Sequence, residues 1–148
     1  MTVTLHTICS LLSYVAFLTA FAAGALFLVQ ERQLKHKHMG MLFRRLPALR
    51  TLDRLNALSI GVGFLLLTIG LGCGVVGARR LFGRWWDWDP KEAFALFLWG
   101  LYFMLWILRL RATLRGRKVA VLSILGFGLV IFTFLGVSRW LPTWHAYL

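Results

Sequence analysis

Long apolar runs alternate with short polar connections along the whole of this chain. Four runs reach the roughly 20 residues needed to cross a bilayer as a helix: about Leu5–Val29, Leu55–Ala78, Ala93–Leu110 and Val119–Trp140. The third run passes Arg109 before it ends, and a long basic side chain near a helix end can extend its charge to the interface. The pattern predicts an all-α, polytopic membrane protein with four transmembrane helices and one membrane domain over residues 1–148. The segment 31–54 is too polar to span. Within it, Leu42, Leu46, Leu49 and Leu52 with Asp53 suggest a short amphipathic helix along the membrane surface, broken at Pro47. At the second connection, residues 79–92, Asp89 fits an N-cap, Pro90 the first helical position and Glu92 the third position of a capping box. Ala16, Ala20 and Gly24 in the first span, and Gly70 and Gly74 in the second, have the spacing that lets helix backbones approach closely in lipid. Packing is the first reading of these small residues, and room for a flat ligand beside span two is the other.

Composition supports this class. The 148 residues are 59% hydrophobic, with a mean hydropathy of +0.75. A formal net charge of +12 would suggest nucleic acid in a soluble protein, but here the basic residues sort by connection. Seven (Arg32, Lys35, Lys37, Arg44, Arg45, Arg50 and Arg54) lie between spans one and two. Five (Arg109, Arg111, Arg115, Arg117 and Lys118) lie between spans three and four, so twelve of the seventeen share one side. The positive-inside rule makes that side cytoplasmic and puts both termini and the 79–92 loop outside. Nucleic acid is therefore not an expected partner, whereas membrane lipid is. With no basic residue before Arg32 and a long apolar run, the N-terminus reads as a retained span and not a cleaved leader. Cys9 and Cys73 form no C-x-x-C pair. They read as two small packed residues, with a disulfide as the alternative.

Chemistry concentrates in the second connection. Residues 83–92 read Gly-Arg-Trp-Trp-Asp-Trp-Asp-Pro-Lys-Glu, with Trp85, Trp86 and Trp88 interleaved with Asp87 and Asp89. Tryptophan is common at membrane interfaces. Three indoles within four positions could equally form an aromatic floor for a large flat ligand such as haem. Of the four histidines, His36 and His38 sit among lysines in a basic connection and read as solvated. His6 and His145 flank the first and last spans, and an even number of spans returns both to the side of the tryptophan loop. Each could be an ordinary interfacial histidine. Together they could be the two axial ligands of one haem iron. Arg79, Arg80, Arg84 and Lys91 lie on the side that should be poor in cations. They could pair with haem propionates or anchor the helix ends in lipid.

The stretch from Gly83 to Glu92, continuing through Ala95-Leu96 and Trp99, resembles the tryptophan-rich WWD signature of haem-handling cytochrome c assembly proteins of the CcsA and CcmC types. The Trp-Asp-Pro-Lys-Glu ending is more similar to the CcsA branch. The resemblance also covers Gln30–Lys35, Arg45-Leu46-Pro47, Leu52–Asn56, Leu125-Gly126-Phe127, Phe132–Val137 and His145. It implies that the loop and the outward-facing histidines, here His6 and His145, cradle haem. Three departures stand out. CcsA proteins carry further spans before the matched part, so this chain corresponds to a four-span core. They also carry a histidine near the inner end of the span after the signature, where this chain has Ile107. Phe82 stands where tryptophan is common.

The expected function is thus a haem-binding membrane component of cytochrome c maturation. It would hold haem b between His6 and His145 at the extracytoplasmic face for attachment to an apocytochrome c bearing a C-x-x-C-H motif. Trp85, Trp86, Asp87, Trp88, Asp89, Arg84 and Arg80 would contact the cofactor or order the loop. The resemblance implies a Ccs1/ResB-type membrane subunit as partner, and a bacterial inner membrane or its equivalent as location. The chain has no thiol nucleophile or acid–base pair of its own, so it reads as part of a synthase and not a self-sufficient enzyme. The alternative is a non-enzymatic haem-binding or accessory subunit of a larger membrane electron-transfer complex.

Overall fold

A computed structural model of the protein describes residues 2–37, 46–83, 90–111 and 115–137. It is all-helical in those residues. Helix α1 runs Thr2–Lys35, α2 Leu49–Phe82, α3 Pro90–Leu110 and α4 Arg117–Ile131, with a π-helical continuation over Phe132–Val137. The first two have 34 residues each, about 50 Å of helix at 1.5 Å per residue. They outreach the apolar runs because their polar end turns remain helical. Arg32 and Lys35 lie in the last turn of α1, and Arg79 and Arg80 in the last turn of α2, where cations complement the helix dipole.

Helices α1 and α2 form a tight antiparallel hairpin, and small residues set its closeness. A Cβ added at Gly63 would lie 2.5 Å from Cε1 of Phe17, and one at Gly70 would lie 3.1 Å from the Ser10 hydroxyl. Helix α4 returns along α1 by the same device. At Gly24 a Cβ would meet Ser123 Oγ at 2.9 Å and the Ala120 carbonyl at 3.1 Å. Helix α3 packs more sparsely, through Tyr102 and Trp106. Tyr102 stacks on Phe17, with ring centroids 3.7 Å apart and 17° between planes, and lies against Gly126 of α4. Trp106 covers Gly61. Phe17, Ile60, Tyr102, Leu98 and Val119 form the buried centre. Outside it the surface is apolar, with Leu58, Leu65, Phe97, Met104 and Leu125 all more than half exposed, as a bundle solvated by hydrocarbon requires.

Polar groups buried in this bundle tie helices together. The Asn56 amide donates to the Ala20 carbonyl at 2.7 Å and to Ser123 Oγ at 2.9 Å, and the Ser123 hydroxyl donates to the Ala120 carbonyl at 2.9 Å. One side chain of α2 thereby binds α1 and α4. Together these contacts fix direction: residues 20–27 of α1, 56 of α2 and 116–123 of α4 share one end. The start of α1, Gly83, the start of α3 and residue 137 share the other.

Three expectations change. The short surface helix does not form from Leu49 and Leu52, which belong to α2; residues 38–45, with Leu42, lie outside the described residues. Pro47 bars a helix through that point, Ala48 is extended at φ −56°, ψ 145°, and the helix starts immediately after it. Leu52 is buried at the start of a stripe that continues through Asn56 and Ile60, so the apolar face used to infer a separate helix is the first turn of α2. The 79–92 connection is shorter than expected, because α2 continues to Phe82 and ends at Gly83. Gly83 is left-handed at φ 71° and donates its N–H to the Arg79 carbonyl, the glycine-terminated helix end. Finally, among the described residues three of the four expected spans are helices long and apolar enough to cross a membrane, and the fourth, expected over 119–140, is described only as far as residue 137. The α-helical part of α4 has 15 residues before it widens. There Thr133 donates its hydroxyl to the Leu129 carbonyl at 2.8 Å, competing with the regular ladder for that acceptor. The π segment carries the helix on to Val137. The chain is a multi-pass membrane protein in architecture.

Candidate functional site

His6 is the one expected iron ligand among the described residues, and its seat is specific. Position 6 continues the α1 stripe of Cys9, Ser13, Phe17 and Ala20 that faces α2. Opposite it, α2 carries Gly74, whose missing side chain leaves a notch, and one turn before it Gly70, which packs against Ser10. The imidazole lies in that notch: a Cβ at Gly74 would stand 2.9 Å from Nδ1 and 3.1 Å from Cε1. His6 Nδ1 lies 2.7 Å from the Gly70 carbonyl oxygen. A carbonyl can only accept, so Nδ1 carries the hydrogen and donates it. In the neutral ring the lone pair is then on Nε2. Fixing the tautomer through a backbone carbonyl is how proteins prepare a histidine for a metal. Among the described residues Nε2 has no hydrogen-bond partner. The donor set therefore fits a haem iron approached from Nε2.

The depth of the seat follows from the helix rise. Gly83 is nine residues beyond Gly74, about 13 Å along α2. A group held by His6 would therefore sit well inside the end of the hairpin. Of the two arginines closing α2, helical phase separates their roles. At 100° per residue Arg80 falls about 80° from Gly70 and about 120° from Gly74, and Arg79 about 180° and 140°. Both are exposed. Arg80 is thus the arginine of α2 better placed toward the His6 side. Trp85, Trp86, Asp87, Trp88, Asp89, Arg84 and His145 lie outside the described residues, as does the capping role expected of Asp89. Pro90 opens α3 as the sequence predicts.

The described part of the WWD-like stretch has a packing role. Trp99 donates from Nε1 to the Thr68 hydroxyl at 2.9 Å and stacks on Phe103 with 2° between ring planes. Phe64 touches Trp99, Phe103 and Trp106 with centroids 5.2–5.7 Å apart. This aromatic seam joins α2 to α3 in the apolar part of the bundle. Cys9 and Cys73 are both free thiols, in line with their reading as small packed residues. No group of three or more His, Cys, Asp or Glu converges among the described residues. Haem needs no such group, since the porphyrin supplies four of the iron's ligands.

Two features escaped the sequence reading. The glycine pair reads from sequence as a packing contact or as room for a flat ligand, and neither reading includes the carbonyl that sets the His6 tautomer. The signal was present: a histidine near the start of span one and a small-residue pair near the end of span two must meet in an antiparallel hairpin. The other feature is at the far end, where Asp53 accepts from Arg109 at 2.8 and 2.6 Å and from the Gly116 N–H at 3.2 Å.

The sequence model of the family described as cytochrome C assembly protein matches residues 1–145. Among curated relatives, the "Cytochrome c biogenesis protein CcsA" of Prochlorococcus marinus (strain NATL1A) is 44% identical over 96 residues, 65% of this chain and 30% of that protein. The proteins of the same name from Thermosynechococcus vestitus and Pyropia yezoensis are 42% and 39% identical. They cover 70% of this chain in both cases and 33% and 32% of their own lengths. The chain spans about a third of the length of the curated relatives it matches. An all-helical multi-pass bundle matched almost end to end by that family model belongs to the cytochrome c assembly protein family and is CcsA-like.

Proposed function

We propose that this chain holds haem b at the extracytoplasmic end of its bundle and presents it for attachment to apocytochrome c. The observation that carries the proposal is the His6 seat. The Nδ1–H bond to Gly70 fixes the ring and leaves Nε2 to face a ligand. His145 would be the second axial ligand. Trp85, Trp86 and Trp88 would pack on the porphyrin, Asp87 and Asp89 would order the loop, and Arg80 and Arg84 would meet the propionates. Bound haem would supply an iron and two vinyl groups, the latter being the sites at which apocytochrome thiols are attached. The chain's own contribution is binding and orientation. The bond to Gly70 would hold the His6 proton on Nδ1 and leave Nε2 as the ligand atom. The cation-poor side of the positive-inside pattern supports an outward-facing seat. The name shared by the relatives supports a place in cytochrome c maturation; the partners would be a C-x-x-C-H apocytochrome and a Ccs1/ResB-type subunit, in a bacterial inner membrane or its equivalent.

The test is spectroscopic. Protein purified in detergent from haem-replete cells is expected to show a Soret band, with split visible bands on reduction. His6→Ala and His145→Ala should each change the spectrum, and the double variant should lose it. Wild-type protein that stays colourless overturns the proposal. Haem that binds but is never passed to apocytochrome in the presence of the partner subunit assigns the chain instead to a permanent haem-binding or accessory subunit.

A further inference from the structure

At the opposite end from His6, α2 carries two arginines that the fold leaves unmatched. Arg50 and Arg54 are exposed and one turn apart, and with Thr51 they line an open cavity of about 300 Å³. Neither guanidinium forms an ion pair among the described residues, and the acids at this end of the bundle are engaged elsewhere, in Lys35–Glu31, Arg109–Asp53 and Arg117–Glu31. The acid next to Arg54, Asp53, is already taken by Arg109 and the Gly116 N–H. Two uncompensated cations about 6 Å apart along a helix cost repulsion unless an anion lies between them.

What lies below the pair narrows the choice of anion. At spacings of four, four, three and four residues from Arg54, the same face continues through Leu58, Val62, Leu65 and Ile69, exposed at 67, 45, 52 and 51%. The stripe is cationic at its end and apolar along its length, as a phospholipid with its phosphate at the arginines and an acyl chain along the helix would require. Guanidinium matches phosphate oxygens in paired hydrogen bonds, and the Thr51 hydroxyl adds a donor. No carboxylate stands free there to receive the cation of a zwitterionic headgroup. We infer that Arg50, Thr51 and Arg54 form a binding site for the phosphate of one anionic phospholipid, whose acyl chain lies along Leu58, Val62 and Leu65.

Delipidated protein in detergent is titrated with phosphatidylglycerol or phosphatidylcholine of the same acyl chains, and retained lipid is counted by native mass spectrometry. The wild type is expected to retain one phosphatidylglycerol at a concentration at least about tenfold below that needed for phosphatidylcholine. Arg50→Gln/Arg54→Gln should abolish that preference. The charge-matched Arg32→Gln/Lys37→Gln, at exposed positions of the same end, should keep it. Arg50→Lys/Arg54→Lys keeps the charge without the paired geometry and should fall between. Circular dichroism and melting should match wild type in all variants, because neither arginine has a protein partner among the described residues. Equal affinity for the two lipids in the wild type overturns the inference. So does an equal loss in the Arg50/Arg54 and Arg32/Lys37 variants, which would assign a diffuse charge effect. Release of the lipid by millimolar inorganic phosphate would assign an ion site instead and also overturn it.

Discussion

Arg109 grips Asp53 from both sides of the carboxylate. Its Nη1 donates to Oδ1 at 2.8 Å, and its Nη2 donates to the Asp53 backbone carbonyl at 2.9 Å as well as to Oδ2. The Gly116 N–H is the carboxylate's third donor, at Oδ1, on a residue whose φ of 61° only glycine adopts freely. One acid therefore ties the start of α2 to the end of α3 and to the turn before α4. Helix α3 needs that tie. It packs thinly on the hairpin, and the segment that opens it carries the tryptophans.

Asp53→Asn leaves a guanidinium, 12% exposed, beside a neutral amide. Removing one partner of a charge-assisted pair costs about 1.5–3 kcal/mol, and the 27% exposure of Asp53 places the loss toward the lower end. The expected result is a clear fall in the melting midpoint of the detergent-solubilised protein. Glu31→Gln, which removes the looser pairs to Lys35 and Arg117 at 3.1 and 3.9 Å, should cost under about 1 kcal/mol. Equal effects from the two changes would show that the geometry at Asp53 adds nothing.

Gly74→Ala tests the histidine seat without touching a ligand. The new methyl would lie 2.9 Å from Nδ1, so the ring must move and its bond to Gly70 must lengthen. A shifted spectrum or lower haem content is expected at a nearly unchanged melting midpoint. Gly72→Ala, with nothing within 4 Å, should leave the spectrum as in wild type. A normal spectrum in Gly74→Ala would separate the seat from haem binding.

Asn56→Ala removes two hydrogen bonds that join three helices. The Ala20 carbonyl keeps its helical partner, so the loss is about 1–2 kcal/mol. A double-mutant cycle with Ser123→Ala should give a coupling of roughly 0.6 kcal/mol, the size common for side-chain hydrogen bonds within membranes. Zero coupling would mean that the Asn56–Ser123 bond is not maintained in solution.

Gly63→Ala drives a methyl into the ring of Phe17, which is fully buried and stacked on Tyr102. Overpacking of this kind costs about 1–3 kcal/mol. The added substitution Phe17→Leu should recover part of the lost midpoint by vacating the contact. If the double variant melts below Gly63→Ala alone, the close approach of α1 and α2 is not the cause.

Legibility from sequence followed the kind of interaction. The apolar runs at 5–29, 55–78 and 93–110 appear as helices because hydrocarbon solvent leaves the backbone no other way to satisfy itself. Pro90 and Gly83 mark helix ends because ring and missing Cβ act locally. The surface helix around Leu49 was misread for the same local reason. Its 3–4 spacing is equally that of the first turns of a longer helix, and only the burial of Leu52 beside Asn56 distinguishes the two. For the candidate site, the sequence nominated His6 by its position near the start of a span but not the partner that orients it.

The chain's order of residues by itself determined an all-helical bundle and the sorting of basic residues among its connections, because hydrophobic length and charge asymmetry act without reference to neighbours. Only the tertiary structure decided that Gly70 presents a carbonyl to His6, that Arg109 closes on Asp53 and that Asn56 reaches Ser123. These pairs stand 64, 56 and 67 residues apart. Their geometry depends on the rotation and depth of each helix against the next, set by where small side chains let backbones approach.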